Sequence, residues 1–113
     1  MDRLKRYRDL IKAYLTEHAD LMRSQPVTGL ETLCILDEQD DQYLLLNVGW
    51  EHSRRVRYTT LHVRIHNGKI WIEEDWTEEG LANRLVEAGV PKEEIVLAFQ
   101  SPEMRPLTDF AVV

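Results

Sequence analysis

The sequence has little of the chemistry on which small enzymes and metalloproteins depend. It contains one cysteine, five glycines and four prolines in 113 residues. The single cysteine, Cys34, can form neither an intramolecular disulfide nor a thiolate metal cluster. Because Cys34 lies within the apolar run of residues 33–36, we interpret it as a buried strand residue rather than a reactive thiol.

Motifs for catalysis and phosphate binding are also missing. The glycines stand singly, so no glycine-rich phosphate loop or G-x-S-x-G nucleophile elbow occurs. His62 and His66 are four residues apart on a predicted strand, which places them about 13 Å apart, too far to share a metal ion. The acidic runs at residues 38–41 and 73–75 fall in a turn and at a strand end, where solvation accounts for them. We predict that the protein is not an enzyme and has no cofactor or metal site.

The charge balance and hydropathy exclude further classes. Twenty acidic residues against fourteen lysines and arginines give a net charge of −6, which opposes binding along nucleic acid. No apolar run approaches the roughly 20 residues of a membrane span, and no signal-peptide core is visible near the N-terminus. We therefore expect a cytoplasmic protein with one domain over residues 1–113, no membrane association and no direct contact with nucleic acid.

Hydrophobic periodicity predicts an α+β fold. Apolar residues at helical spacing indicate an amphipathic helix over residues 2–22, with Asp2 as its N-cap, and Thr77 is predicted to cap a second helix that ends at Gly89. Alternating patterns predict strands at residues 30–37, 42–51, 55–66, 69–74 and 95–99. The expected architecture is an antiparallel or mixed sheet of about five strands, with both helices packed on one face.

Asn67-Gly68 is a strong signal for a two-residue β-hairpin turn, and it fixes a register. A type I′ turn pairs Val63 with Ile72 and, one step further on, His62 with Glu73. Arg64 and Trp71 then lie on the face opposite to the aliphatic residues. The pattern predicts one aliphatic face and one face that carries arginine and tryptophan.

Arginines interleaved with aromatic residues are typical of protein interfaces. An intramolecular stack of arginine on Trp71, or a phosphate site, would use the same residue types. The tail ends in four apolar residues, 110–113, which we expect to dock on the body or on a partner. Strand 42–51 is apolar on both faces, which indicates a strand inside the sheet or one covered on its second face by another subunit. Together with the small size of the domain, this favours a homo-oligomer, a dimer or larger. The candidate partner-binding residues are Arg54, Arg55, Arg64, Trp71, Arg105 and Phe110.

Four segments taken together resemble the XisI family. They are residues 47–51 (NVGWE), 67–72 (NGKIWI), 89–97 (GVPKEEIVL) and 108–112 (TDFAV), and their order and spacing match the family over nearly the whole chain. A departure is Trp76, where many relatives have a small residue. The resemblance implies a cyanobacterial α+β protein that controls excision of the fdxN element during heterocyst differentiation. It implies a companion protein, XisH, and no catalytic residues.

Three functions follow as hypotheses. The first is a regulatory protein without catalysis that binds a XisH-like, nuclease-related partner. The second is an excisionase-like accessory factor that binds DNA. The third is a protein that binds a small ligand near Arg54 and Arg55.

Overall fold

The structure is a computed structural model that describes residues 2–113. In chain order, the main elements are helix α1 (Arg3–Ser24), strands β1 (Leu30–Asp37), β2 (Gln42–Glu51), β3 (Arg54–His66) and β4 (Lys69–Asp75), helix α2 (Leu81–Glu87) and strand β5 (Ile95–Leu97). Two short 3₁₀ turns follow α2, at Lys92–Glu94 and Arg105–Leu107. Within the described residues, no helix has both the length and the hydrophobicity that crossing a bilayer requires.

The predicted N-terminal helix is confirmed, and its start is defined by a side-chain cap. The Asp2 carboxylate accepts a hydrogen bond of 2.9 Å from the backbone N–H of Leu4, which satisfies a donor that the first turn leaves free. One stripe of α1 is buried, and its members recur at helical spacing: Tyr7, Ile11, Tyr14, Leu15 and Ala19. The packing of this stripe against the sheet, rather than helix propensity alone, stabilises the helix.

The five strands form one mixed sheet in the order β1-β2-β3-β4-β5. The first four strands are an antiparallel meander, and β5 lies parallel to β4. The predicted Asn67-Gly68 turn is confirmed, because both residues have positive φ angles, 52° and 75°, as a type I′ turn requires. The α+β class and the mixed sheet are as the sequence predicted.

The hydrophobic core lies on one face of the sheet, where α1 and α2 both pack. The core is formed by the helix stripe together with Leu81 and Leu85 of α2 and the inward residues of the strands, among them Tyr43, Leu45, Leu61, Val63, Ile70 and Ile72. All of these strand residues are essentially inaccessible to solvent. Among the described residues 2–113, neither α1 nor α2 covers the opposite face, which we call the open face.

The predicted register is correct near the turn and wrong beyond it. Val63 pairs with Ile72 as expected, but His62 lies opposite Glu74 instead of Glu73. The irregularity between His62 and Val63 inserts one extra residue into β4, as a β-bulge does. The side chain of His62 instead meets Gln42 of β2, with 2.9 Å between Nε2 and Oε1.

The start of α2 also differs from the prediction that Thr77 is its N-cap. Helix α2 begins at Leu81, and the carboxylate of Asp75 accepts its backbone N–H at 2.7 Å. The same carboxylate accepts hydrogen bonds from the backbone and hydroxyl of Thr77, at 2.9 and 2.6 Å. An ionised carboxylate is a stronger hydrogen-bond acceptor than a threonine hydroxyl. Asp75 therefore accepts the free N–H at the start of α2, and Thr77 holds the Asp75 carboxylate in place. The predicted end at Gly89 is confirmed, with φ of 93° and a hydrogen bond from its N–H to Val86.

Three buried tyrosines reach the rim of the core and find polar partners there. Tyr7 donates to Glu94, and Tyr14 shares a hydrogen bond of 2.7 Å with Thr77. Tyr43 donates to Asp41 at 2.8 Å. Burial is the main cause that raises the pKa of Tyr7 to about 12 and also raises the pKa values of Tyr14 and Tyr43, so all three hydroxyls stay protonated and act as donors or acceptors.

The Asp41 carboxylate joins α1 to the turn between β1 and β2. Arg8 donates two hydrogen bonds to it, at 2.8 and 3.1 Å, and Tyr43 donates a third. The Arg8 guanidinium, followed by the Tyr43 hydroxyl, lowers the pKa of Asp41 below its ordinary 3.8. Such a carboxylate stabilises the fold above its unfolded pKa, and the contribution is lost as the pH falls toward the lower folded value.

We expect Asp41→Asn to lower the free energy of unfolding at pH 7 by about 1 to 3 kcal/mol, because the bidentate Arg8 contact is weakened. Asparagine tolerates the positive φ of 52° at this position, so backbone strain does not contribute. The difference from the native chain should begin to shrink as the pH falls below the ordinary 3.8, and it should vanish below the lower pKa of the folded state, where the native carboxylate is protonated as well. Urea unfolding at neutral and acidic pH measures both effects. Asp40→Asn in the same exposed turn is the control, and equal losses for the two variants would contradict this interpretation.

Candidate protein-binding surface

Trp71 is the centre of a cluster on the open face near the β3–β4 hairpin. The guanidinium carbons of Arg64 and Arg105 lie 5.3 and 5.7 Å from the centre of its ring system, which is the range of cation–π attraction. The indole N–H donates to the carbonyl of His66 at 3.0 Å, and the His66 ring meets the indole edge-on. We call Arg64, His66, Trp71 and Arg105 the Trp71 cluster.

Arg64 is placed by the predicted hairpin register and held by an acidic neighbour. It pairs with Trp71 across the hairpin, and its Nε donates to Glu73 at 2.9 Å. The side chains of Arg64 and Glu73 are each about one third exposed, at 33% and 29%. The intramolecular stack of arginine on Trp71, one of the sequence-based alternatives, is confirmed, and part of the guanidinium still faces solvent.

Arg105 ties the C-terminal tail, residues 98–113, to the sheet. Its guanidinium donates to the carbonyls of Gln100, Ala98 and Val112, at 3.0, 3.2 and 3.4 Å. The tail also extends the sheet, because the N–H of Ala111 donates to Ile95 at 2.9 Å in a parallel bridge beside β5. Arg105 is therefore a clamp within the chain as well as a member of the Trp71 cluster.

Phe110 points inward from the tail. It packs against the hydrophobic core, and the ammonium of Lys92 lies 5.7 Å from the centre of its ring. Of the apolar end of the tail, Phe110 is therefore docked on the body, one of the two places expected, whereas Val112 and Val113 remain exposed. Phe110 anchors the tail, and it offers only part of its surface to another molecule.

The other two predicted residues lie at the opposite end of β3. Arg54 pairs with Glu51 at 2.9 Å, and Arg55 stacks on Trp50 at 5.3 Å. Arg55 and Arg64 are nine positions apart along the strand, a distance of about 30 Å. The six predicted residues therefore do not form one surface. Arg64, Trp71 and Arg105 lie in the Trp71 cluster, and Arg54 and Arg55 lie at the β2–β3 turn. Phe110 lies on the side of the tail that faces the core.

The tail presents exposed apolar side chains, of which the sequence analysis singled out only those in the last four residues. Leu107 is 77% exposed and Val113 67% exposed, and three further tail residues are about half exposed: Phe99, Met104 and Val112. The sequence signal was an irregular segment with two prolines that nonetheless carries many apolar residues. Solvent-facing apolar side chains concentrated in one segment are typical of a docking surface.

His62 and Cys34, two side chains of reactive types, are in unreactive states. Burial is the main cause that lowers the pKa of His62 and raises the pKa of the Cys34 thiol, which favours neutral imidazole and protonated sulfur. Across residues 2–113, no three histidine, cysteine or carboxylate side chains are grouped to hold a metal ion. A groove of about 580 Å³ runs below the C-terminal end of α1, lined by Leu21, Pro26, Val27, Tyr58 and others, but neither Arg54 nor Arg55 lines it.

These features define a small α+β protein with a mixed sheet that helices cover on one face. The model of the XisI protein family matches residues 1–112. The chain belongs to the XisI family.

Two crystal structures of relatives from Anabaena variabilis ATCC 29413 share the fold. One, described as the fdxN element excision controlling factor XisI, is 42% identical with a TM-score of 0.90, and the alignment covers 99% of this chain and all of that one. The other, described as a XisI-like protein, is 36% identical with a TM-score of 0.90 over 98% of this chain and all of that one. No curated protein sequence is significantly similar to the chain.

We expect Arg105→Ala to loosen the tail without unfolding the sheet, because three carbonyl contacts are lost while the core residues are unchanged. Amide hydrogen exchange should become at least several-fold faster at Ala111 and over residues 98–105, and should stay unchanged in β2 and β3. The matched control is Arg54→Ala, which removes an exposed arginine that contacts only Glu51 within the hydrogen-bond and ion-pair network of the described residues. Equal exchange in the tail for both variants would show that Arg105 is not the clamp.

Proposed function

We propose that the chain is a regulatory protein without catalytic activity that controls excision of a DNA element of the fdxN kind by binding a XisH-like, nuclease-related partner. Family membership supports the role in excision control, because a relative 42% identical over 99% of this chain is described as such a controlling factor. The partner and the absence of catalysis are our inferences from the surface. The proposed setting is the cytoplasm of a cyanobacterial cell during heterocyst differentiation.

The exposed apolar side chains of the tail are the observation that carries the partner proposal. Five large apolar residues between 99 and 113 face solvent, although folding alone would favour burying them. Arg105 holds this segment against Trp71, so the tail is ordered before any partner arrives. An ordered surface loses less conformational entropy on binding than a disordered one, which favours affinity.

The Trp71 cluster adds polar and aromatic anchors beside the tail. Arginine and tryptophan are the residues most enriched among interface hot spots. Arg64 is held by Glu73 and by the indole, so its side chain is already oriented. We infer that the partner contacts the tail and the Trp71 cluster together, and that it offers acidic groups to the arginines.

The test is co-purification of the chain with its XisH-like companion, followed by binding measurements on variants. We expect Trp71→Ala, Arg64→Glu and Leu107→Asp each to weaken binding by about ten-fold or more, in line with the loss of a hot-spot residue. Lys5→Glu, on the exposed side of α1, reverses one charge as Arg64→Glu does and should bind like the native chain. Circular dichroism checks that each variant is folded.

Two results would contradict the proposal. One is a companion that does not co-purify with the native chain at any salt concentration tested. The other is native affinity in Trp71→Ala and Leu107→Asp together, which would place the binding surface elsewhere.

Binding to DNA that carries the borders of the element distinguishes the alternative, a DNA-binding accessory factor, from the proposed partner-binding protein. An acidic chain whose Arg54 and Arg64 already pair with carboxylates should show no gel shift with such DNA at low salt. Binding that weakens linearly with the logarithm of salt concentration would favour the alternative, because that slope reports phosphate contacts.

A further inference from the structure

The open face carries an apolar band over the first three strands. Two cross-strand rows form its centre: Leu33 with Leu46 and Thr59, and Ile35 with Leu44 and His62. Ile35 is 39% exposed, Leu33 and Leu44 are partly exposed, and Leu46 between them is buried at 9%. Both helices lie on the other side of the sheet. An antiparallel sheet with one solvated face normally carries polar residues there, so this band is a surface without its partner.

Charged rows flank the apolar band, and each row is acidic on β1 and basic on β3. Above the band, Glu31 lies opposite Val48, which lies opposite Arg57. Below the band, Asp37 lies opposite Gln42, which lies opposite Arg64. Residues directly opposite one another share a face of the sheet. At both ends of the apolar band, the open face is thus negative on β1 and positive on β3, with Val48 or Gln42 of β2 between the two charges.

This distribution of charged and apolar side chains makes the open face of one copy complementary to the open face of a second copy. A two-fold axis parallel to β2 and just above the open face places β2 of one copy on β2 of the other. The same rotation places β1 over the partner's β3 at the same height along the strands. Glu31 then faces the partner's Arg57, and Asp37 faces the partner's Arg64, while the apolar rows meet in the middle.

We propose that a second copy of this chain covers the open face, as a two-fold dimer with the two sheets packed face to face. Packed sheets lie about 10 Å apart with their strand directions within about 30° of each other, and long side chains such as glutamate and arginine span that gap from both sides. An isologous interface repeats every contact, so each dimer holds two Glu31–Arg57 pairs.

Glu31 and Arg57 are the diagnostic pair. Both side chains are exposed, and among residues 2–113 neither takes part in a hydrogen bond or an ion pair. Two strand spacings, about 10 Å, keep them apart within one chain. Arg64 is less informative, because it already pairs with Glu73. Of the Trp71 cluster, Trp71 and Arg105 belong to β4 and the tail, whereas Arg64 and His66 belong to β3. Glu31 and Arg57 lie outside the cluster, so reversing their charges tests the dimer separately from the proposed XisH-like partner.

Charge reversal tests the arrangement by sedimentation velocity across micromolar concentrations. The native chain should form a dimer, and Glu31→Arg and Arg57→Glu should each raise the dissociation constant by about ten-fold or more, because like charges then face each other twice. The double variant carrying both changes should dimerise as the native chain does. An equimolar mixture of the two single variants should form a heterodimer, since each new charge then faces its opposite.

Glu87→Arg, an exposed charge reversal on α2, is the control and should leave the dimer unchanged. A native chain that stays monomeric at all concentrations overturns the proposal. A dimer that withstands both single reversals overturns it as well, because it must use another surface, such as the β1 edge. Restoration by the double variant and by the mixture would exclude misfolding as the cause of the single-variant effects.

Discussion

The packing of α1 across one face of the sheet is the constraint on which the other features depend. Its buried stripe covers β1 and β2 and leaves α2 to cover β4. The stripe includes two tyrosines whose hydroxyls end at the rim of the core, so the fold needs polar partners there, and Glu94 and Thr77 supply them. Because both helices lie on the same side, neither covers the aliphatic residues of the opposite face, and Ile35 there is exposed. The asymmetry that builds the core therefore also creates the surfaces that can bind other molecules.

Local signals in the sequence predict most of the fold. Alternating residues and the Asn67-Gly68 turn place the strands, and Asp2 and Gly89 mark helix ends, because each of these signals acts over a few residues. The bulge at His62 and the cap of α2 are different. The bulge follows from strands that must satisfy β2 and β4 at once, and the helix start follows from where the Asp75 carboxylate lies after β4 ends. The pairing of one strand with two neighbours and the path of a loop depend on residues far apart in the chain. A short window of sequence therefore does not predict them.

The candidate site divides in the same way. Arg64 beside Trp71 could be predicted, since a hairpin register places both residues on one face. The role of Arg105 could not, because its three carbonyl partners lie in the irregular tail, whose path depends on docking beside β5. Phe110 has the composition of an interface residue, but the same docking turns its ring toward the core. Apolar residues in the tail indicate that the segment packs against another surface. Only the three-dimensional path of the tail shows which of its side chains face the core.

The parallel pairing of β5 with β4 has a consequence for how the chain acquires its structure. The first four strands contact neighbours that are close in sequence, whereas β5 reaches β4 only after the crossover through α2. Contacts between sequence neighbours form faster than contacts that close long loops, and synthesis on the ribosome delivers the meander first. We therefore expect the sheet to grow from β1 toward β5. The tail docks beside β5, so its exposed apolar side chains can take up their places only after β5 has paired with β4.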